Sequence, residues 1–232
     1  MRTVLIILSV LIWAAHVFGQ VGNQSETKDV GYEVAKLNSL NQNQGNKYLE
    51  EKDIAGTPFF DKQFQKSYIL KTNGVEIKDI FLRYNLYNNN MEFKKDGKIL
   101  SIAFPSEIQR INMGGKIFIH ARYLKPKKVD YGFFQVLYEG DYQLLEKDQV
   151  VLKSPSDKTS QNDSLRFEKL PPEFYLLYGN GMAHLVYSQK TLIKVLQPIP
   201  QNIIDYIKSN KINTKDEKQL IDLMEYMADS PN

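Results

Sequence analysis

His120 and His184 come first among residues that could do chemistry, because imidazole titrates near neutral pH and ligates transition metals. They are the two histidines beyond the N-terminal segment, and they fall in separate stretches of alternating sequence. Neither belongs to an HxH or HExxH spacing, so the pattern assigns no metal or catalytic role to either. Adjacent carboxylates occur at Glu50-Glu51 and Asp216-Glu217. The second pair suits the first turn of a helix, where negative charge meets the positive end of the macrodipole. No serine sits in a GxSxG elbow and no GxxxxGKS loop is present to cradle phosphate. Gly179-Asn180-Gly181 lies between two strand-like runs and reads as a hairpin turn. The chain contains no cysteine, which removes disulfides, thiol nucleophiles, zinc–thiolate sites, iron–sulfur clusters and a lipid-modified cysteine. No cofactor or metal is expected, and no residue carries a catalytic assignment.

The stretch RYNLYNNNMEFKKDGK, Arg83 to Lys98, looks most like a site, with aromatics, basic residues and three consecutive asparagines. Alternation divides it. Ile80, Leu82, Tyr84 and Leu86 share one face, expected to be core. Phe81, Arg83, Asn85 and Tyr87 share the other. In a later run Phe118, His120 and Arg122 alternate with Ile117, Ile119, Ala121 and Tyr123. The candidate surface-site residues are therefore Arg83, Tyr87, Phe118 and His120. Lys125, Lys127 and Lys128 make a small basic loop, read as solvated surface.

These residues need a scaffold, and the turn chemistry outlines it. Asn73-Gly74, Asn88-Asn89-Asn90, Asp96-Gly97, Gly114-Gly115 and Glu139-Gly140-Asp141 punctuate short alternating runs. That spacing predicts an antiparallel meander. Phe133 to Tyr138 is apolar on both faces and predicts a central strand. SPSDKTSQNDS, residues 154–164, is a polar loop. FYLLY and MAHLVY predict a last hairpin. Beyond Ser188 the period turns helical: Leu192, Ile193 and Leu196 mark a short helix stopped by Pro198 and Pro200. Ile203, Ile204 and Ile207 mark a second ending near Asn210, and Leu220, Leu223, Met224 and Met227 a third behind a Thr214–Glu217 capping box. The expected fold is α+β, mainly β: an antiparallel meander sheet, curved and sandwich- or barrel-like, over residues 56–187, with a small C-terminal helical cap over 188–232.

The N-terminus, MRTVLIILSVLIWAAHVFGQ, combines a basic residue, a 12-residue apolar run and small residues before Gln20. It is shorter than the roughly 20 residues a spanning helix needs. It reads as a cleaved secretory signal over 1–19, followed by a polar, partly disordered lead-in over 20–55. Without residues 1–19 the chain has 29 basic and 27 acidic residues, or +2. That balance gives no reason to invoke nucleic acid or an anionic membrane. Export without cysteine suits a bacterial periplasm or exterior better than a disulfide-rich animal secretome.

GTPFFDKQF, RYNLYNNNMEF, GFFQVLYEG, FEKLPPEFYLLYGNG and IIDYIKSNKINTKDEKQLIDLMEYM, in this order, resemble a group of uncharacterised exported β-rich proteins from Bacteroidetes-type bacteria. The resemblance runs from about Gly56 to Met227. It implies export and a shared domain, and it transfers no site. The leading expectation is a non-enzymatic structural or binding protein of the cell envelope with an envelope or extracellular partner and no integral membrane span. One alternative is a cell-envelope or polysaccharide hydrolase whose site forms only on folding. Another is a ligand-binding module that uses exposed aromatics on the sheet.

Overall fold

The computed structural model describes residues 54–125, 128–153 and 165–230. The expected signal segment, nearly all of the lead-in and the 154–164 loop lie outside the described residues. Within them the protein is mainly β, as expected, with one large antiparallel sheet and three C-terminal helices. The strands are β1 (Gln65–Lys71), β2 (Glu76–Asn85), β3 (Asn90–Lys95), β4 (Lys98–Ser101), β5 (Ile108–Met113), β6 (Lys116–Lys125), β7 (Lys128–Tyr138), β8 (Tyr142–Lys147), β9 (Val150–Lys153), β10 (Arg166–Lys169), β11 (Glu173–Tyr178) and β12 (His184–Leu185). The helices are α1 (Gln189–Leu196), α2 (Gln201–Ser209) and α3 (Glu217–Asp229).

The hairpin turns form where the sequence puts residues that tolerate positive φ. Asp96 and Gly97 sit at φ 51° and 73°, and Gly114 and Gly115 at 59° and 81°. These are the paired left-handed residues that tight hairpins require. The ten-stranded sheet runs β12-β11-β8-β7-β6-β5-β1-β2-β3-β4. It is a meander with two breaks: β5 returns to pair with β1, and β11 pairs with β8. The hairpin β9–β10 forms a separate two-stranded sheet between β8 and β11 in sequence.

The sheet stays open, with β4 and β12 as its ends. It curls so far, however, that β12 approaches β6. The Ala183 N–H donates to the Arg122 carbonyl at 2.8 Å, and the Leu124 N–H to the Ala183 carbonyl at 3.3 Å. Both faces of the central strands are consequently covered. One face carries Ile69, Leu82, Tyr84, Met91, Ile111, Phe118 and Phe133, capped by the β9–β10 hairpin through Val150 and Phe167. Farther along, Leu144, Phe174 and Leu176 receive the helices through Leu192, Leu196, Ile203, Ile207, Leu220 and Leu223. The opposite face carries Tyr123, Phe134, Leu145, Tyr175, Leu177 and Ala183 inside the curl.

Several sequence expectations shift. Ile54 is buried, and Ala55 bridges to Arg166, so the packed body reaches back to Ile54. The expected strand MAHLVY reduces to His184–Leu185. The α3 cap is Asp216, whose carboxylate accepts from the Gln219 N–H at 3.0 Å and from Gln219 Nε2 at 3.2 Å. These two bonds, both donated by Gln219, displace the expected Thr214–Glu217 box, and Thr214 is buried instead. After α2 the left-handed residue is Lys211, at φ 49°, while Asn210 stays right-handed.

Candidate functional site

Of the four surface candidates, two are core. Phe118 is 1% exposed and meets Tyr84 and Phe60 edge to face. Its assignment to a solvent face fails because the rings of Tyr84 and Phe60 cover that face of β6 at Phe118, while Arg122 farther along it stays exposed. Tyr87 is also buried, packed edge to face on Phe167 with centroids 5.5 Å apart. β2 ends at Asn85, so alternation no longer governs where Tyr87 points. Phe81 stays exposed, but Tyr87 and Phe118 do not join it in a groove.

Arg83 is committed to a structural clamp. Its guanidinium lies 3.5 Å from the Phe59 ring centroid and 4.5 Å from that of Phe64. Arg83 Nη2 also donates to Glu92 Oε2 at 2.5 Å, while Asn85 Nδ2 donates to Glu92 Oε1 at 2.8 Å. A flat, weakly hydrated cation suits this stacked, partly desolvated position. The clamp fastens the segment before β1 onto β2 and β3.

His120 is half-buried against Tyr131 and Phe133, with centroids 6.1 Å and 5.0 Å away. Burial pushes its pKa down to about 4, and the Lys147 ammonium adds to the shift. It is a neutral packed ring through the physiological range. Among the described residues, neither His120 nor His184 is hydrogen-bonded to a carboxylate, and no group of three or more His, Asp or Glu side chains could hold a metal. Of the basic loop, Lys125 is paired with Asp130 at 2.6 Å across β6–β7.

A strongly perturbed cation, Lys147, sits on the inner side of the curl. It is 5% exposed. Its Nζ donates to Asn89 Oδ1 at 3.1 Å and lies 4.9 Å and 5.1 Å from the Phe134 and Tyr123 ring centroids. Burial, helped by the Lys125 charge, lowers its pKa to about 8. Asn89 reaches this point from the β2–β3 turn at φ 54°. Its Oδ1 also accepts the Tyr84 hydroxyl at 2.7 Å, and its Nδ2 donates to the Tyr131 carbonyl at 3.3 Å. Gly132 makes the room: a Cβ there would come within 2.8 Å of both Asn89 Nδ2 and Lys147 Nζ. The middle asparagine of the three is thus a half-buried strut across the sheet. Gly132 was its sequence signal, since a glycine inside a strand marks close approach. The lysine in LLEKDQV gave none.

Glu146 is the other displaced group. Burial raises its pKa to about 7, with further contributions from Asp148 and Glu217. It is half-buried on the strand and lines neither this strut nor the main cavity.

The main concavity among the described residues is a cleft of about 800 Å³ between the sheet and the helical cap. Two hairpin turns form one wall, with Tyr138, Asp141 and Tyr142 from one, and Tyr178, Met182 and His184 from the other. The opposite wall comes from the α1–α2 connection, Gln197 to Pro200, and from Met224 and Met227 of α3. The α1–α2 connection contains a cis Gln197–Pro198 bond. Tyr142 braces it by donating its hydroxyl to the Leu196 carbonyl at 3.0 Å. Tyr178 is 65% exposed and packs tilted against Tyr142 at 5.0 Å. The lining holds one carboxylate, Asp141, and no lysine or arginine. It combines an apolar floor with a few separated polar groups, as small-molecule sites do. Of these residues only His184 is a chemical candidate in the sequence, where Pro198 and Pro200 read as a helix stop and Met224 and Met227 as an apolar stripe. The walls meet only when the helices dock on the sheet.

Comparison with protein-family models, with curated proteins and with solved structures finds no match to this chain.

Proposed function

We propose that this chain is an exported, non-enzymatic binding protein whose ligand seats in the cleft between the sheet and the C-terminal helices. One observation carries the reading: the most strongly perturbed groups lie outside the cavity, and Tyr142 in its wall is shifted upward chiefly by burial. An enzyme brings its displaced titratable groups into its cleft. Here Lys147, His120 and Glu146 are all outside the cleft lining, while the cleft presents tyrosine rings, methionines and prolines. Without a lysine or arginine in the lining, an anionic ligand gains no charge partner. Tyr142 and Tyr178 offer faces for a ring or chain, and His184, Gln197 and the tyrosine hydroxyls offer separated hydrogen bonds. That chemistry fits a neutral amphipathic molecule such as a short uncharged oligosaccharide.

The methionines provide the test. Met182, Met224 and Met227 line the cleft, whereas Met91 and Met113 belong to the core beneath the other half of the sheet. With ¹³C-methyl methionine, titration with neutral cello-, malto- and chito-oligosaccharides should shift the first three resonances and leave the other two in place. Tyr178→Ala should weaken the response at least tenfold. Shifts confined to Met91 and Met113, no shift with any of the sugars, or breakdown of the added sugar would refute the proposal. On the export half of the reading, the protein recovered from its native host should begin near Gln20, and a mature N-terminus at Met1 would refute it.

A further inference from the structure

The far end of the sheet carries a second recognition surface. β2 spans Glu76–Asn85, but its ladder with β3 covers only Leu82–Asn85 against Asn90–Phe93. Beyond that point the strands part. β3 stays with β4 through Lys94↔Ile99 and Lys95↔Lys98, and β2 stays with β1 through Glu76. Asp79, at φ 58°, and the register shift opposite it between Ser67 and Ile69 turn β2 away, as bulges do. The result is a notch of about 630 Å³ lined by Phe64, Ile77 and Phe81 on one side and Phe93 on the other. Half of β2 therefore faces the notch with backbone donors and acceptors that no strand of the described sheet pairs.

Free strand edges are normally covered, twisted away or blunted. This one is flanked by exposed apolar surface, with Ile77 38% and Phe81 52% exposed. Its charge is one-sided. Asp79 and Lys78 are already paired, with Lys66 and Glu76 at 2.7 Å each, which leaves Lys94 and Lys95 as the cations that line the notch. Unpaired backbone calls for an extended chain, the apolar floor for alternate apolar side chains, and the lysines for carboxylates between them.

We propose that this notch is a strand-addition site that takes an extended acidic segment of a partner polypeptide, pairing with the free edge of β2, seating its apolar side chains on Ile77 and Phe93, which share one face of the sheet, and turning its carboxylates to the face of Phe81 and Lys94. Six residues of β2, Glu76 to Phe81, are open, so the recognised segment is roughly 20 Å long, at about 3.3 Å per residue. This site is separate from the cleft at the helical cap, and either can fail without the other.

A displayed library of random dodecapeptides selected on the full chain tests the proposal. Enrichment of sequences alternating acidic and apolar residues is expected. Synthetic versions should lose at least tenfold in affinity to Phe81→Glu and to the Lys94→Glu, Lys95→Glu double variant, and should slow amide exchange at Ile77–Phe81 at least tenfold. All three positions are exposed or rim the notch, and an unchanged thermal midpoint confirms that the variants fold. Selection of no sequences beyond those bound by Phe81→Glu, selection of basic sequences, or binding without protection of β2 would overturn it. So would a concentration-dependent dimer abolished by Phe81→Glu, which would make the occupant a second copy of this chain.

Discussion

Replacing Lys147 with methionine should make the protein more stable at neutral pH. In the folded chain the ammonium is buried and its pKa falls from 10.5 to about 8. A fall of that size corresponds to about 3 kcal/mol of disfavoured charge. The folded pKa lies below the unfolded one, so between pH 8 and 10.5 the unfolded chain binds the extra proton. Stability on this account rises with pH through that window, and the penalty is fully present below it. A methionine side chain would carry no charge but would forfeit the charged hydrogen bond to Asn89 and the longer one to the Phe133 carbonyl, together worth about 2 kcal/mol. Asn89 Oδ1 would keep the Tyr84 hydroxyl, so no acceptor is orphaned. The variant should therefore gain about 1 kcal/mol at pH 7, about 2–4 °C in Tm for a chain of this size, and its advantage should vanish by about pH 9. Urea unfolding of both proteins at pH 7, 8, 9 and 10 measures this, since other titrations cancel in the difference. A variant less stable at pH 7, with a difference that does not change up to pH 10, would refute the reasoning and show a well-compensated charge.

Gly132→Ala should cost about 1–3 kcal/mol by overpacking. Lys147→Met should recover part of that loss in the double variant, because methionine is one atom shorter where the new Cβ intrudes; a thermal-melt double-mutant cycle reads the coupling. Arg83→Met should destabilise by about 3 kcal/mol, leaving the buried Glu92 without its cation, and urea unfolding should show Arg83→Lys falling between the two. The His120 ring should remain neutral from pH 8 down to about 5 in an NMR titration. Its folded pKa lies below the usual value, so its contribution to stability is lost as pH falls from about 6.5 toward 4, and His120→Phe should reduce that acid sensitivity.

The turns were the most legible part of the sequence. Asp96-Gly97 and Gly114-Gly115 act through backbone sterics local to two residues, and the helices act through apolar stripes such as Leu220, Leu223 and Met224. β9 and β10 were not legible, because four residues each is too short for a period and they pair across residues 154–164. Inside and outside were misread on β6 for a different reason. Alternation identifies the two faces of a strand but does not say where along its length each is covered, and that hid the burial of Phe118. The strut made by Asn89 and Lys147 joins residues 58 positions apart, and the cleft at the helical cap depends on docking angles. Neither leaves a pattern within a short window of sequence.

The position of β1 between β2 and β5 sets an order of assembly. Its pairing with β2 closes a short turn, and β2–β3 and β3–β4 close likewise, events that take microseconds in isolated hairpins. Pairing β1 with β5 requires the whole β2–β4 stack to be looped out, roughly forty residues, at an entropic cost of about 3 kcal/mol. Local hairpins therefore precede the long-range ladder, and the chain passes through a stage in which β1–β4 exists with one edge of β1 still bare. At that stage the edge that β5 will occupy and the notch beside β2 are both open, and only the first gains a partner among the described strands.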